Sequence, residues 1–129
     1  MQISDPRLKP DKPANRERRT EHRGGNTAMI VVNARFESTA ENIQALAEAI
    51  SAVETATRAE EGCDDYTFSV ELNDPGALRI TERWDSSEAL ERHLGSAHIA
   101  EFQKAMRAYP PTGVDAKFYE VREIPRPGS

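Results

Sequence analysis

The chain has one cysteine, one tryptophan and three histidines in 129 residues, and aromatic side chains make up only 6% of it. The lone thiol, Cys63, has no partner for an intramolecular disulfide and sits in no paired Cys or His spacing of the zinc type, so it is read as a buried structural residue. No apolar run approaches the roughly 20 residues that cross a bilayer, and the first residues lack the apolar stretch of a secretory signal. A cytoplasmic protein with no membrane partner is the expectation. No Gly-rich phosphate loop follows a strand, and no Ser-His-Asp or Cys-His order points to a nucleophile. His93 and His98 flank Gly95 and are not expected to share a helix face, so no metal site is read from them.

Positive charge is scarce where a folded body is expected. Residues 1–27 hold seven of the 17 Lys and Arg against four of the 22 Asp and Glu, leaving ten bases against 18 acids in the remainder. An acidic body argues against nucleic acid as a partner, because phosphate contacts need clustered cations. Residues 1–27 also carry Pro6, Pro10 and Pro13, a charged run and Gly24-Gly25, with no apolar periodicity. Such a segment buries too little to offset its ordering entropy and is expected to be a disordered basic arm. Residues 28–124 would then form one domain, and 125–129 a short polar tail.

Within that domain Ile30, Val32, Ala34 and Phe36 alternate with Val31, Asn33 and Arg35, the pattern of a strand. Ser38 and Glu41 have the spacing of a capping box, and Ile43, Leu46, Ala47, Ile50, Val53 and Thr57 recur at helical intervals until Gly62. Tyr66, Phe68, Val70 and Leu72 alternate, Asn73-Asp74-Pro75-Gly76 reads as a turn, and Leu78, Ile80, Glu82 and Trp84 alternate again. Ala89, Leu90, His93 and Leu94 form the apolar edge of a helix stopped at Gly95; Ile99, Phe102 and Met106 continue it to Tyr109-Pro110, and Val114–Arg122 is a last strand.

The order β-α-β-β-α-β specifies an α+β, ferredoxin-like fold, a four-stranded antiparallel sheet with its helices on one face. Apolar residues read on both strand faces predict that two sheets pack together in a homodimer, across more than the roughly 1,000 Å² of a biological contact.

The segment from Ile80 to Phe102 resembles the antibiotic biosynthesis monooxygenase family. Glu82-x-Trp84 ends the third strand, Ser86 or Ser87 and Leu90 open the helix, His93 and His98 flank a small break before Phe102, and Glu61-Gly62-Cys63 precedes the second strand. The resemblance spans roughly residues 28–122 and implies a dimeric α/β barrel. It further implies oxidation of a small phenolic or quinol-like aromatic compound by O₂ without metal, flavin or other cofactor. The alternative is a non-catalytic protein of the same fold that binds a hydrophobic metabolite or serves an associated enzyme. Haem-degrading relatives are less similar, since His93 stands where they carry Trp and Gln103 near where they carry His.

Four residues are candidates for catalysis. His93 lies on an apolar helix edge where leucine is ordinary, and an imidazole near its usual pKa of about 6.5 exchanges a proton with a phenol. His98, in the first turn after Ser96, is its understudy. Asn33, a carboxamide amid β-branched residues, and Trp84, through its indole N–H, are candidate oxyanion donors. Tyr66, Phe102 and Tyr119 are candidate substrate-binding walls, with core packing the rival reading. Arg35, Arg83 and Glu82 are read as solvent- or interface-facing members of cross-strand ion pairs.

Overall fold

A computed structural model describes residues 28–128. The expectation of a disordered arm at 1–27 lies outside the described residues. Eight elements follow in the order β1 (Met29–Glu37), α1 (Ala40–Ala45), α2 (Ala47–Arg58), β2 (Cys63–Glu71), β3 (Asp74–Trp84), α3 (Ser87–Leu94), α4 (Ala97–Ala108) and β4 (Gly113–Val121). This is the ferredoxin-like order, with each helical segment split in two.

The splits have local causes. Thr39, rather than Ser38, caps α1, its hydroxyl accepting from the Asn42 N–H. The helix steps at Leu46, which leaves helical geometry (φ −91°, ψ 1°) while its side chain stays 3% exposed. At the second break Gly95 closes α3, and the Ser96 hydroxyl accepts from the Ile99 N–H to start α4. The hairpin turn falls at Leu72-Asn73 and β3 begins at Asp74, earlier than the predicted Asn73–Gly76 turn allows.

The sheet runs β2-β3-β1-β4, antiparallel at each pairing. Its registers stack side chains into rows across all four strands. On the helix side, Tyr66, Glu82, Val32 and Phe118 form one row, and Phe68, Ile80, Ala34 and Ala116 the next. On the outer side the rows are Thr67, Thr81, Asn33 and Lys117, then Ser69, Arg79, Arg35 and Asp115. The expectation of apolar residues on both faces is therefore corrected: the inner face is apolar and the outer face is mostly polar and charged.

The two sheet edges differ. Along β2, the Glu54 carboxylate accepts from the Phe68 N–H at 2.7 Å and the Arg58 guanidinium donates to the Tyr66 carbonyl at 2.9 Å, so α2 satisfies part of the strand's free edge. Along β4, Val114 and Phe118 are each 58% exposed although their registers set them on the helix side. No described helix is long and apolar enough to cross a membrane.

Candidate functional site

Helices and sheet do not close completely. Between the inner rows of the sheet and the faces of α3 and α4 lies a cavity of about 550 Å³, within the usual range for small-molecule sites. Val32, Ala34, Tyr66 and Ile80 form its floor, Phe102, Met106 and Ile99 its roof, and Ala116 and Phe118 the wall toward β4. Glu82 and His93 border this apolar space, with Tyr66 and Arg107 also on its lining.

His93 reaches it from the last turn of α3. The residue is 1% exposed, its ring 4.8 Å from Trp84 and 5.1 Å from Tyr66, centroid to centroid. Its Nδ1 lies 2.8 Å from Glu60 Oε2, and the same oxygen lies 2.5 Å from His98 Nε2. Glu60 belongs to the turn between α2 and β2. Gly62 in that turn has φ +89°, and a Cβ there would fall 2.6 Å from the Ala89 Cβ and 2.8 Å from Asp85 Oδ1, so only glycine lets the turn approach α3 this closely. The backbone N–H of Asp85 donates to the Gly62 carbonyl at 2.8 Å and fixes the contact.

Burial pushes His93 below the ordinary imidazole value, opposed by its hydrogen bond to Glu60. The ring is thus a neutral imidazole near pH 7. With Glu60 Oε2 accepting from Nδ1–H, Nε2 is left as the basic nitrogen. Glu82 is 9% exposed, its Oε1 accepting from the Trp84 Nε1–H at 2.9 Å. Desolvation pushes its carboxyl up to about 7, against the lowering effect of the indole donor, so it is poised to exchange a proton at neutral pH. Burial likewise holds the Tyr66 phenol protonated, well above its ordinary range.

The structure brings together His93, Tyr66 and Phe102 at the cavity and sets His98 on Glu60 behind His93. Trp84 packs against His93, but its indole N–H is engaged by Glu82 rather than free for a substrate oxyanion. Asn33 and Tyr119 do not reach the cavity. Strand alternation turns both to the outer face, Asn33 between Thr81 and Lys117 and Tyr119 beside Val31. Two expectations are reversed. Glu82 is buried on the inner face, because it shares the parity of Leu78, Ile80 and Trp84. His93 and His98, separated by a helix break, meet through one carboxylate: the ligating atoms of Glu60, His93 and His98 all lie within 4.8 Å of one another, a set able to hold a metal ion. Glu60 was not singled out in the sequence; its neighbourhood to Gly62-Cys63 was the available signal.

Comparison with known proteins accords with this fold. Rv0793 of Mycobacterium tuberculosis, whose name carries a provisional monooxygenase assignment, is 38% identical over 77 residues, covering 60% of this chain and 75% of its own. The Rv0793 structure superposes with a TM-score of 0.67 and 28% identity over 75% of this chain and 98% of that one. A Deinococcus radiodurans structure, also provisionally assigned as an antibiotic biosynthesis monooxygenase, gives a TM-score of 0.69 and 28% identity over 75% of this chain and 96% of that one. Residues 29–105 match the family described as antibiotic biosynthesis monooxygenase, and the chain belongs to that family.

Proposed function

We propose that the protein is a monooxygenase that oxidises a small phenolic or quinol-like aromatic compound with O₂, the substrate itself supplying the electrons. The observation that carries this reading is the His93 imidazole, held by Glu60 at the wall of an apolar cavity of about 550 Å³. Triplet O₂ reacts slowly with closed-shell organics, whereas a deprotonated hydroxy-aromatic donates an electron readily. The chain's task is to bind the phenol, remove its proton and exclude water.

In this mechanism His93 Nε2 accepts the substrate proton, and Glu60 stabilises the resulting imidazolium. One electron passes from the substrate anion to O₂, and the radical pair combines at carbon to give a hydroperoxide anion. That anion is protonated from the site, and loss of water leaves a carbonyl. One oxygen atom stays in the product and the other departs as water. Glu82, the second proton-exchanging group at the cavity, is placed to handle the proton that His93 does not.

Metal-stripped protein should consume O₂ with hydroquinones or anthrones, and His93→Ala should lower turnover by about 10²–10⁴-fold with the fold retained. Oxygen uptake no faster than in buffer across such a panel would reject the reading in favour of a metabolite-binding protein. We further propose a homodimer, now supported by the half-exposed Phe118, Val114 and Tyr119 on β4 rather than by an apolar outer face. Light scattering at micromolar concentration should give twice the chain mass, and a monomer there would refute it.

A further inference from the structure

Glu60, His93 and His98 come from three separate elements, the turn after α2, the end of α3 and the start of α4. The structure holds them in place independently of one another. Gly62 and Asp85 pin the Glu60 turn to α3 through a 2.8 Å backbone hydrogen bond. The Ser96 hydroxyl donates to the His93 carbonyl at 2.7 Å and accepts from the Ile99 N–H at 3.3 Å, so the residue between the helices sets the offset of the two histidines. Trp84 and Tyr66 fix the plane of the His93 ring. The His93 side chain is 2% exposed and that of His98 27%, so the cluster is buried at His93 and reached from solvent at His98.

Two imidazole nitrogens and one carboxylate oxygen form the donor set of borderline divalent ions, whereas Mg²⁺ and Ca²⁺ prefer all-oxygen surroundings. The separations of 2.8 and 2.5 Å to Glu60 Oε2 are hydrogen-bond distances. Around a tetrahedral ion with bonds of about 2.0–2.1 Å the donors stand roughly 3.3 Å apart, so the donors, all within 4.8 Å of one another, reach that arrangement when Glu60 draws back slightly and the two imidazole nitrogens close on each other by at most about 1.5 Å.

We propose that Glu60, His93 and His98 form a binding site for a divalent transition ion, Zn²⁺ foremost, with the fourth position left to water, and that occupancy switches off proton acceptance by His93. Without the ion, His93 donates Nδ1–H to Glu60 and keeps a lone pair on Nε2. An ion on Nδ1 moves the ring proton to Nε2, which then donates toward the cavity and accepts nothing. The site stands apart from the oxygenase reading; only the switch rests on it.

The test is calorimetric titration of metal-stripped full-length protein with Zn²⁺, paired with the visible absorption of Co²⁺, both without substrate. One ion per chain should bind, Co²⁺ should give the intense bands of tetrahedral coordination, and Mg²⁺ should bind nowhere. His98→Ala and Glu60→Gln should each weaken Zn²⁺ at least about tenfold, with circular dichroism checking that they fold. No saturable uptake by the wild-type chain would overturn the site, as would uptake unchanged in both variants, which would locate the ion elsewhere, for example at His22. In the activity arm, Zn²⁺ should suppress oxygen uptake by the wild type and suppress it less in His98→Ala. An active enzyme that takes up no metal removes the site and leaves the proposed function standing. A metal-binding protein that consumes no oxygen does the reverse.

Discussion

The two sides of the sheet treat ionisable side chains in opposite ways: the outer face carries many, and the inner side, with the helices packed on it, encloses a few. On the outer face Arg35 contacts Glu71, Glu37 and Asp74 at 2.6, 2.5 and 3.1 Å, and Arg79 meets Glu71 at 2.7 Å. Each charge there has a partner and solvent at hand. On the inner face Glu82 has an indole donor but no cation on its hydrogen-bonding oxygen, and His93 has one carboxylate and two aromatic rings. Outer charges are matched to one another, and the hydrogen-bonded pairing pushes Glu71 down and Arg35 and Lys117 up, so that each keeps its charge. Inner ones are displaced toward their neutral forms, at a cost in stability, which brings Glu82 into titration near pH 7 and keeps His93 uncharged there.

The largest test of this contrast is Glu82→Gln. The carboxyl ionises near 4.5 in an unfolded chain but near 7 in the folded one, so the folded state binds the proton more tightly. Wild-type stability should therefore fall as pH rises from about 4.5 to about 7, by on the order of 3 kcal/mol once both states are ionised. The glutamine variant, neutral throughout, should gain on the wild type at pH 8 relative to pH 5 in urea unfolding. An offset between the two proteins that is the same at both pH values would show that Glu82 is not desolvated as described.

A smaller effect is expected from the outer face. Arg35→Ala should lower the midpoint far less than inner-face changes do, and the loss should shrink in high salt, because exposed ion pairs are screened. Asn33→Ala, on the same face, should leave turnover unchanged, while His93→Ala abolishes most of it. A large turnover loss in Asn33→Ala would mean that the outer face participates in the reaction, and the comparison of faces would have to be redrawn.

Much of this was legible in the residues. Alternation located all four strands, and the Gly95 break and the Tyr109-Pro110 stop bounded the second helical segment. Alternation also contained the answers that were missed. Glu82 shares parity with Leu78, Ile80 and Trp84, yet its charge argued for solvent; the enclosed position is tolerated because its proton is retained. Asn33 and Tyr119 have the parity of Val31 and Lys117, which sets them outside. The meeting of Glu60, His93 and His98 could not be read from spacing. It depends on the offset between α3 and α4 set by Ser96 and on the close approach at Gly62, both tertiary matters.

The position of β4 has a consequence for the order of assembly. Every other strand precedes it in sequence, and it pairs with β1 alone, at the sheet margin opposite β2. During synthesis the β2-β3-β1 core and the helices bearing the histidines leave the ribosome before Ala116 and Phe118. The nascent chain thus holds Glu82 and His93 before their enclosure is complete, and the final strand delivers the wall that turns an open cleft into a cavity.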